Sequence, residues 1–254
     1  MLNDKLYLAL LGAIVFTLLT CNVSAATVKK IHVVTEYFQS YQFENKKGEL
    51  SGFAVEVVER LFDMTEYEAV IDVLPWSRAY KIASEQENTM IFSIAFTASR
   101  RENFKWVGIL SQDPLSVWGL KKKFPGNGLT LENLKQHPFV AIRGTNPDDV
   151  ITELGFSHVV RVASQEQMLG MLFKNRADFF VSGNQVMMFR AKALGYKFSD
   201  FSSVYQFENL SSKLGIAFNI NSEPKIITSF REAFLELEAS GELSLIKQKW
   251  NVKY

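Results

Sequence analysis

Between residues 30 and 95, short β-branched runs alternate with amphipathic segments, and this alternation constrains the fold more than any other feature of the chain. Residues 30–36 read as a strand. Residues 53–62 read as a helix, with Phe53, Val57, Val58, Leu61 and Phe62 on one face and Glu56, Glu59 and Arg60 on the other. A second strand follows at 69–74. Pro75 suits the first position of the next helix, which carries Trp76, Arg78 and Tyr80, and a third strand covers 89–95. Strand, helix, strand, helix, strand predicts a parallel sheet covered by helices.

The pattern then breaks and restarts. Residues 115–120 form another predicted strand, and the basic, Gly- and Pro-containing turn at 121–128 reads as a domain junction. Beyond it a smaller α/β unit is expected, with strands at 139–143, 158–163 and 177–182 and helices after Asn146, Ser164 and Asn184. Asn146 is placed as an N-cap with Pro147 behind it, and Ser164 with Gln167 resembles a capping box. A last strand at 214–219, a long helix at 223–240 and a short one at 242–250 finish the chain, with Ser222 expected to cap the long helix.

The N-terminus reads as a targeting segment. Residues 6–19 are almost wholly apolar, about 14 residues against the ~20 that a spanning helix needs. Small residues at 23–26 suit cleavage after Ala25, which predicts residues 1–25 as a signal peptide and an exported, periplasmic mature protein. An uncleaved anchor is one alternative. Lipid attachment at Cys21 is another, because Leu18-Leu19-Thr20-Cys21 resembles a lipobox. Cys21 is the only cysteine, so cleavage after Ala25 leaves no disulfide, thiol nucleophile or cysteine metal ligand. The net charge of +1 gives no electrostatic case for nucleic acid, and Lys121 to Lys123 read as a solvated turn.

The stretch 91–107 is the candidate binding element. A buried strand turns polar at Thr97 and is followed by Arg100 and Arg101. An open α/β sheet binds its ligand at such strand ends, and an arginine there offers a planar fork suited to a carboxylate. Catalysis has weaker support. His32, His137 and His158 are scattered, no nucleophile-elbow, phosphate-loop or zinc motif occurs, and Glu36 and Glu56 read as serving the fold or solvent.

Several landmarks in order resemble the type II periplasmic solute-binding proteins of family 3, the branch that binds polar amino acids. They are G-F-A-V-E-V at 52–57, Pro75-Trp76, T-A-S-R-R-E-N-F-K-W-V-G at 97–108, Gly144-Thr145 before a helix, N-R-A-D at 175–178 and G-E-L-S-L-I-K-Q-K-W at 241–250. The resemblance implies two α/β lobes joined by two crossing strands around a ligand cleft. Lobe 1 is expected over 27–117 plus 213–254, and lobe 2 over 118–212. It implies no cofactor, a small-molecule ligand, a monomer, and as partner the permease of an ABC importer or a separate sensor. A dehydratase-like enzyme on this fold is the remaining alternative.

The resemblance places Arg100 on the ligand carboxylate, faced by the backbone N–H groups of Gly144 and Thr145 from lobe 2. Tyr41, Phe43 and Trp76 are the expected aromatic walls, and Ser93 a hydroxyl donor. Arg78 either lines the cleft or faces solvent. The sequence also departs from the family. Where members hold an α-ammonium group with an acid, this chain has Ser182-Gly183-Asn184, and Ala54, Thr89 and Ala95 replace polar or acidic residues common in the family. The expected ligand is therefore a small carboxylate whose amine, if any, is held differently.

Overall fold

A computed structural model describes residues 29–38, 40–126 and 128–253; the expected targeting segment, its expected cleavage site and Cys21 lie outside these. Lobe 1 begins with β1 (Lys29–Thr35), the small hairpin β2 (Phe43–Glu44) and β3 (Leu50–Ser51), and α1 (Phe53–Asp63). β4 (Tyr67–Val73), α2 (Trp76–Glu85) and β5 (Thr89–Ala95) follow. The expected parallel pairing is present: β1 lies between β4 and β5, with Val33 opposite both Ile71 and Met90. Every residue of β5 is buried, as in a central strand covered on both faces.

After the single-turn α3 (Ala98–Arg101) the chain enters β6 (Phe104–Leu120), which runs on into the second lobe. There α4 (Leu131–Leu134), β7 (Phe139–Ile142), α5 (Asn146–Glu153), β8 (Val159–Val162), α6 (Gln165–Phe173), β9 (Phe179–Gly183) and α7 (Asn184–Ala193) complete the smaller unit. The chain returns through β10 (Phe201–Asn219) to α8 (Pro224–Ala239) and α9 (Glu242–Lys249) on lobe 1. One eight-stranded sheet results, in the order β4-β1-β5-β10-β6-β9-β7-β8.

β6 and β10 are much longer than the strands expected at 115–120 and 214–219. The aromatic-basic residues Phe104, Lys105 and Trp106 are the start of β6, paired with Ala217 to Asn219 of β10. The two long strands are antiparallel and cross between the lobes. Their register slips between Gln206 and Ser211, beside Pro114, which has no N–H to give. Here the core changes hands: Leu110 and Leu214 belong to the lobe 1 core, whereas Leu115, Val117 and Phe207 belong to that of lobe 2.

Helix starts differ in detail from the sequence reading. Thr145, not Asn146, is the N-cap of α5, and Asp148 turns its carboxylate back to the Gly144 N–H at 3.0 Å. Ser222 precedes the cap of α8 and accepts from the Asn88 N–H at 2.9 Å. Ser164 caps α6 through the Gln167 N–H, but the Gln167 side chain accepts from Ala163. Glu56 serves the fold, accepting from Trp250 Nε1 at 2.6 Å and Lys249 Nζ at 2.7 Å. Asp178 pairs with His137 at 2.9 Å and with Lys123.

The tightest junction is between β6 and the start of α7. Asp113 is buried and accepts from the Gln185 and Val186 N–H groups at 2.9 and 3.0 Å, capping α7 from another element. The approach depends on Gly183, where an added Cβ would lie 2.2 Å from Asp113 Oδ2. Gly183→Ala is expected to destabilise the protein by about 2 kcal/mol, lowering the thermal midpoint by roughly 4–8 °C. An unchanged midpoint in calorimetry contradicts this account of the junction.

Candidate functional site

A cavity of about 80 Å³ lies between the lobes. At ~10–15 Å³ per water, that is room for a handful of waters or for a small organic molecule. Lobe 1 contributes Glu36, Phe38, Trp76, Ser93 and Arg100 to its lining; lobe 2 contributes Thr145, Asn146, Gln165, Met168, Ser182 and Arg190.

Arg100 sits on α3, directly after β5, and is only 4% exposed. It donates to the Ala95 carbonyl at 3.3 Å and to the Gly144 carbonyl at 2.9 Å, and lies 3.7 Å from Asp149. Its guanidinium also stacks 5.2 Å from the Trp76 ring and 5.3 Å from Tyr80. Burial pushes its pKa down, against the pull of Asp149. Burial likewise raises the Asp149 carboxyl, against the pull of Arg100. Trp76 Nε1–H donates to the same Gly144 carbonyl at 2.9 Å, so two lobe 1 side chains converge on one lobe 2 oxygen.

Gly144 thus meets Arg100 with its carbonyl and not with its N–H. That N–H is held by Asp148, while the Thr145 N–H and hydroxyl both donate to the Ile142 carbonyl, at 3.3 and 2.7 Å. The anion cradle expected from these N–H groups is not formed: the positive φ of Gly144 (70°) turns the carbonyl toward lobe 1. Thr145 still lines the cavity.

Of the expected aromatic walls, only Trp76 borders the cavity; Phe38 supplies a second. Tyr41 is fully buried in the lobe 1 core, edge-on to Phe53, with its hydroxyl 2.9 Å from Ser111 Oγ. Its loop is folded over the start of α1 by bonds from the Phe53 and Ala54 N–H groups to the Ser40 and Tyr41 carbonyls. Phe43 packs edge-on against Trp250 and lines a separate groove with Met188 and Phe189. Arg78 is exposed. Helical spacing explains this: Trp76 and Tyr80, four apart, share the face toward Arg100, and position 78 lies opposite.

Ser93 reaches the cavity through a bulge. Ile94 pairs with Gly215 and Phe92 with Ile216, so Ser93 is the extra residue, with φ 58°. Bulges next to sites re-aim a side chain. The hydroxyl donates to Gln42 Oε1 at 2.8 Å and keeps its lone pairs as acceptors.

Two charged groups were not among the expected ligand contacts. Glu36 follows the last residue of β1, at the same sheet edge as Arg100. Burial raises its carboxyl to about 7, although Arg190 and Arg100 both draw it down. Arg190 lies within α7, only 6% exposed. Its signal in the sequence is a charge inside an apolar stretch, V-M-M-F-R-A at 186–191, three and four residues from Met187 and Val186.

No family model matches the sequence, and no curated protein matches it. Solved structures do match the fold. The arginine-, lysine-, histidine-binding protein ArtJ from Geobacillus stearothermophilus aligns with a TM-score of 0.77 at 18% identity, over 89% of this chain and 96% of that one. A histidine kinase sensor domain with similarity to periplasmic binding proteins also gives 0.77, at 14% identity, over 87% and 95%. The ancestral amino acid-binding protein AncCDT-1, a precursor of cyclohexadienyl dehydratase, gives 0.72 at 14% identity, over 87% and 95%. The chain has the two-lobe periplasmic-binding-protein fold that its landmarks imply.

A carboxyl whose folded pKa is raised binds its proton more tightly in the native state. The contribution of Glu36 to stability is therefore fully present below its ordinary pKa of 4.5 and is lost as pH rises through about 7. Wild type is expected to lose more stability than Glu36→Gln between about pH 5 and about pH 8 in denaturant titrations. Parallel pH profiles of the two proteins exclude this placement of Glu36.

Proposed function

We propose that the protein is an extracytoplasmic solute-binding protein that captures a small, amino-acid-like carboxylate by closure of its two lobes. The observation that carries this reading is Arg100, a buried guanidinium at a strand end whose hydrogen bonds come from carbonyls of both lobes. A carboxylate is a stronger acceptor for that fork than a carbonyl, because the pair is charge-assisted and can be bidentate. Trp76 and Phe38 supply apolar walls, and Ser93 supplies an acceptor. Transfer of the solute to an ABC importer fits the amino-acid-binding neighbours, which include the substrate-binding protein of an amino acid ABC transporter. Delivery of a signal to a separate receptor fits the kinase sensor domain. Domain closure serves both roles.

On this reading lobe 1 spans 27–117 and 213–254 and lobe 2 spans 118–212; a hinge in β6 is supported by the change of core between Leu110 and Leu115, a few residues before that boundary. The protein is exported by residues 1–25, acts as a monomer, and releases its solute unchanged. Chemical turnover of a bound compound by the purified protein overturns that last statement.

A thermal-shift screen of the chain from Ala26 against amino acids and small organic acids tests the assignment. A ligand at about a hundred times its dissociation constant adds ~2.7 kcal/mol, a rise of roughly 5–11 °C for this size. Arg100→Ala is expected to abolish the rise. A shift that survives the substitution moves the site away from Arg100. Lobe 2 has no acid at 182–184, so an amino acid and its deaminated analogue are expected to bind with comparable affinity in calorimetry. Strict dependence on the amine excludes that.

A further inference from the structure

Arg190 is a buried charge with no ion-pair partner among the described residues. Its Nε donates to Gln165 Oε1 at 3.0 Å and its Nη1 to Ser182 Oγ at 3.0 Å, both neutral acceptors. Among the described residues no carboxylate forms an ion pair with it. Glu36 and Glu166 attract it only from beyond ion-pairing distance, and burial lowers its pKa to about 10. Its Nη2 has no hydrogen-bond partner among the described residues, and the side chain borders the interlobe cavity. Burying a guanidinium without a counter-charge is costly, and buried charges are ordinarily paired. Arg100 is in a different position, because Asp149 stands 3.7 Å away.

We infer that Arg190 is a second anion-binding residue of the cleft, and that the solute is a small diacid held by Arg100 from lobe 1 and by Arg190 from lobe 2. This rests on the carboxylate-binding reading of Arg100 and adds the second acidic group. Gln165 and Ser182 fix two of the three Arg190 nitrogens, which leaves Nη2 as the uncommitted donor of a side chain that borders the cavity. Met168, Val181 and Val186 in the lining are apolar, and Glu36 is the acid there that a ligand anion has to displace as the charge facing Arg190. The cavity volume restricts the solute to a short chain between its acids.

The test compares succinate, glutarate and glutamate with their monoamides, succinamate, glutaramate and glutamine, by calorimetry on the mature chain. At least one diacid is expected to bind about a hundredfold more tightly than its monoamide. Arg190→Gln is expected to erase that preference while leaving monoacid binding in place; Arg190→Lys, which keeps charge without the fork, is expected to restore part of it. Equal binding of a diacid and its monoamide by wild type overturns the inference, and needs no variant to fold. So does diacid binding by Arg190→Gln at wild-type strength. Diacid binding that needs Arg100 but not Arg190 removes this inference alone; absence of binding by every acid in the panel removes it together with the carboxylate reading.

Discussion

A guanidinium taken out of water must be given acceptors, and for Arg100 those acceptors are divided between the lobes. The Ala95 carbonyl comes from lobe 1 and the Gly144 carbonyl from lobe 2, while Trp76 and Tyr80 cover the cation from lobe 1. Solvation of this one side chain is therefore coupled to the position of the lobes. Opening the cleft strips Arg100 and Trp76 Nε1 of the same lobe 2 oxygen, and water must replace it. Closure in turn places the cation where a stronger acceptor than a peptide carbonyl has the most to gain.

A ligand shifts a conformational equilibrium only by binding one state better than the other. A solute touching lobe 1 alone gains little from closure. One that meets Arg100 from lobe 1 and the Arg190 side from lobe 2 has its full set of contacts only when the lobes are together. The strands that connect the lobes are β6 and β10, whose pairing slips between Gln206 and Ser211 beside Pro114. Asp113, one residue before that proline, holds the start of α7, the helix that carries Arg190. The crossing strands and the lobe 2 side of the cleft are thus directly bonded.

Much of this fold was legible because period and punctuation agreed: β-branched runs, amphipathic helices and Gly or Pro at their ends marked both α/β units. The long strands were not. Phe104 to Trp106 and Phe201 to Gln206 carry no clean alternation, and their pairing is decided by partners about 100 residues away. The site divided in the same way. That Arg100 and Trp76 border the cavity was legible because a strand end and a helix start are local signals. Tyr41 and Phe43 misled for the opposite reason: their loop is tied down onto α1, a tertiary fact that turns a loop aromatic into core. The Gly144-Thr145 cradle failed because Asp148 and the Ile142 carbonyl consume the N–H groups first.

Glu36 and Arg190 escaped because burial, not residue type, gives them their character. A glutamate after a strand reads as solvated until the lobe opposite shields it. With its carboxyl raised to about 7, Glu36 is only partly ionised at neutral pH. The cleft then holds two cations and one partly ionised acid, with Asp149 beside Arg100. Such a site selects by penalty as much as by attraction. A solute lacking one acid leaves a desolvated guanidinium facing carbon, and that loss exceeds what a neutral group of the same shape returns.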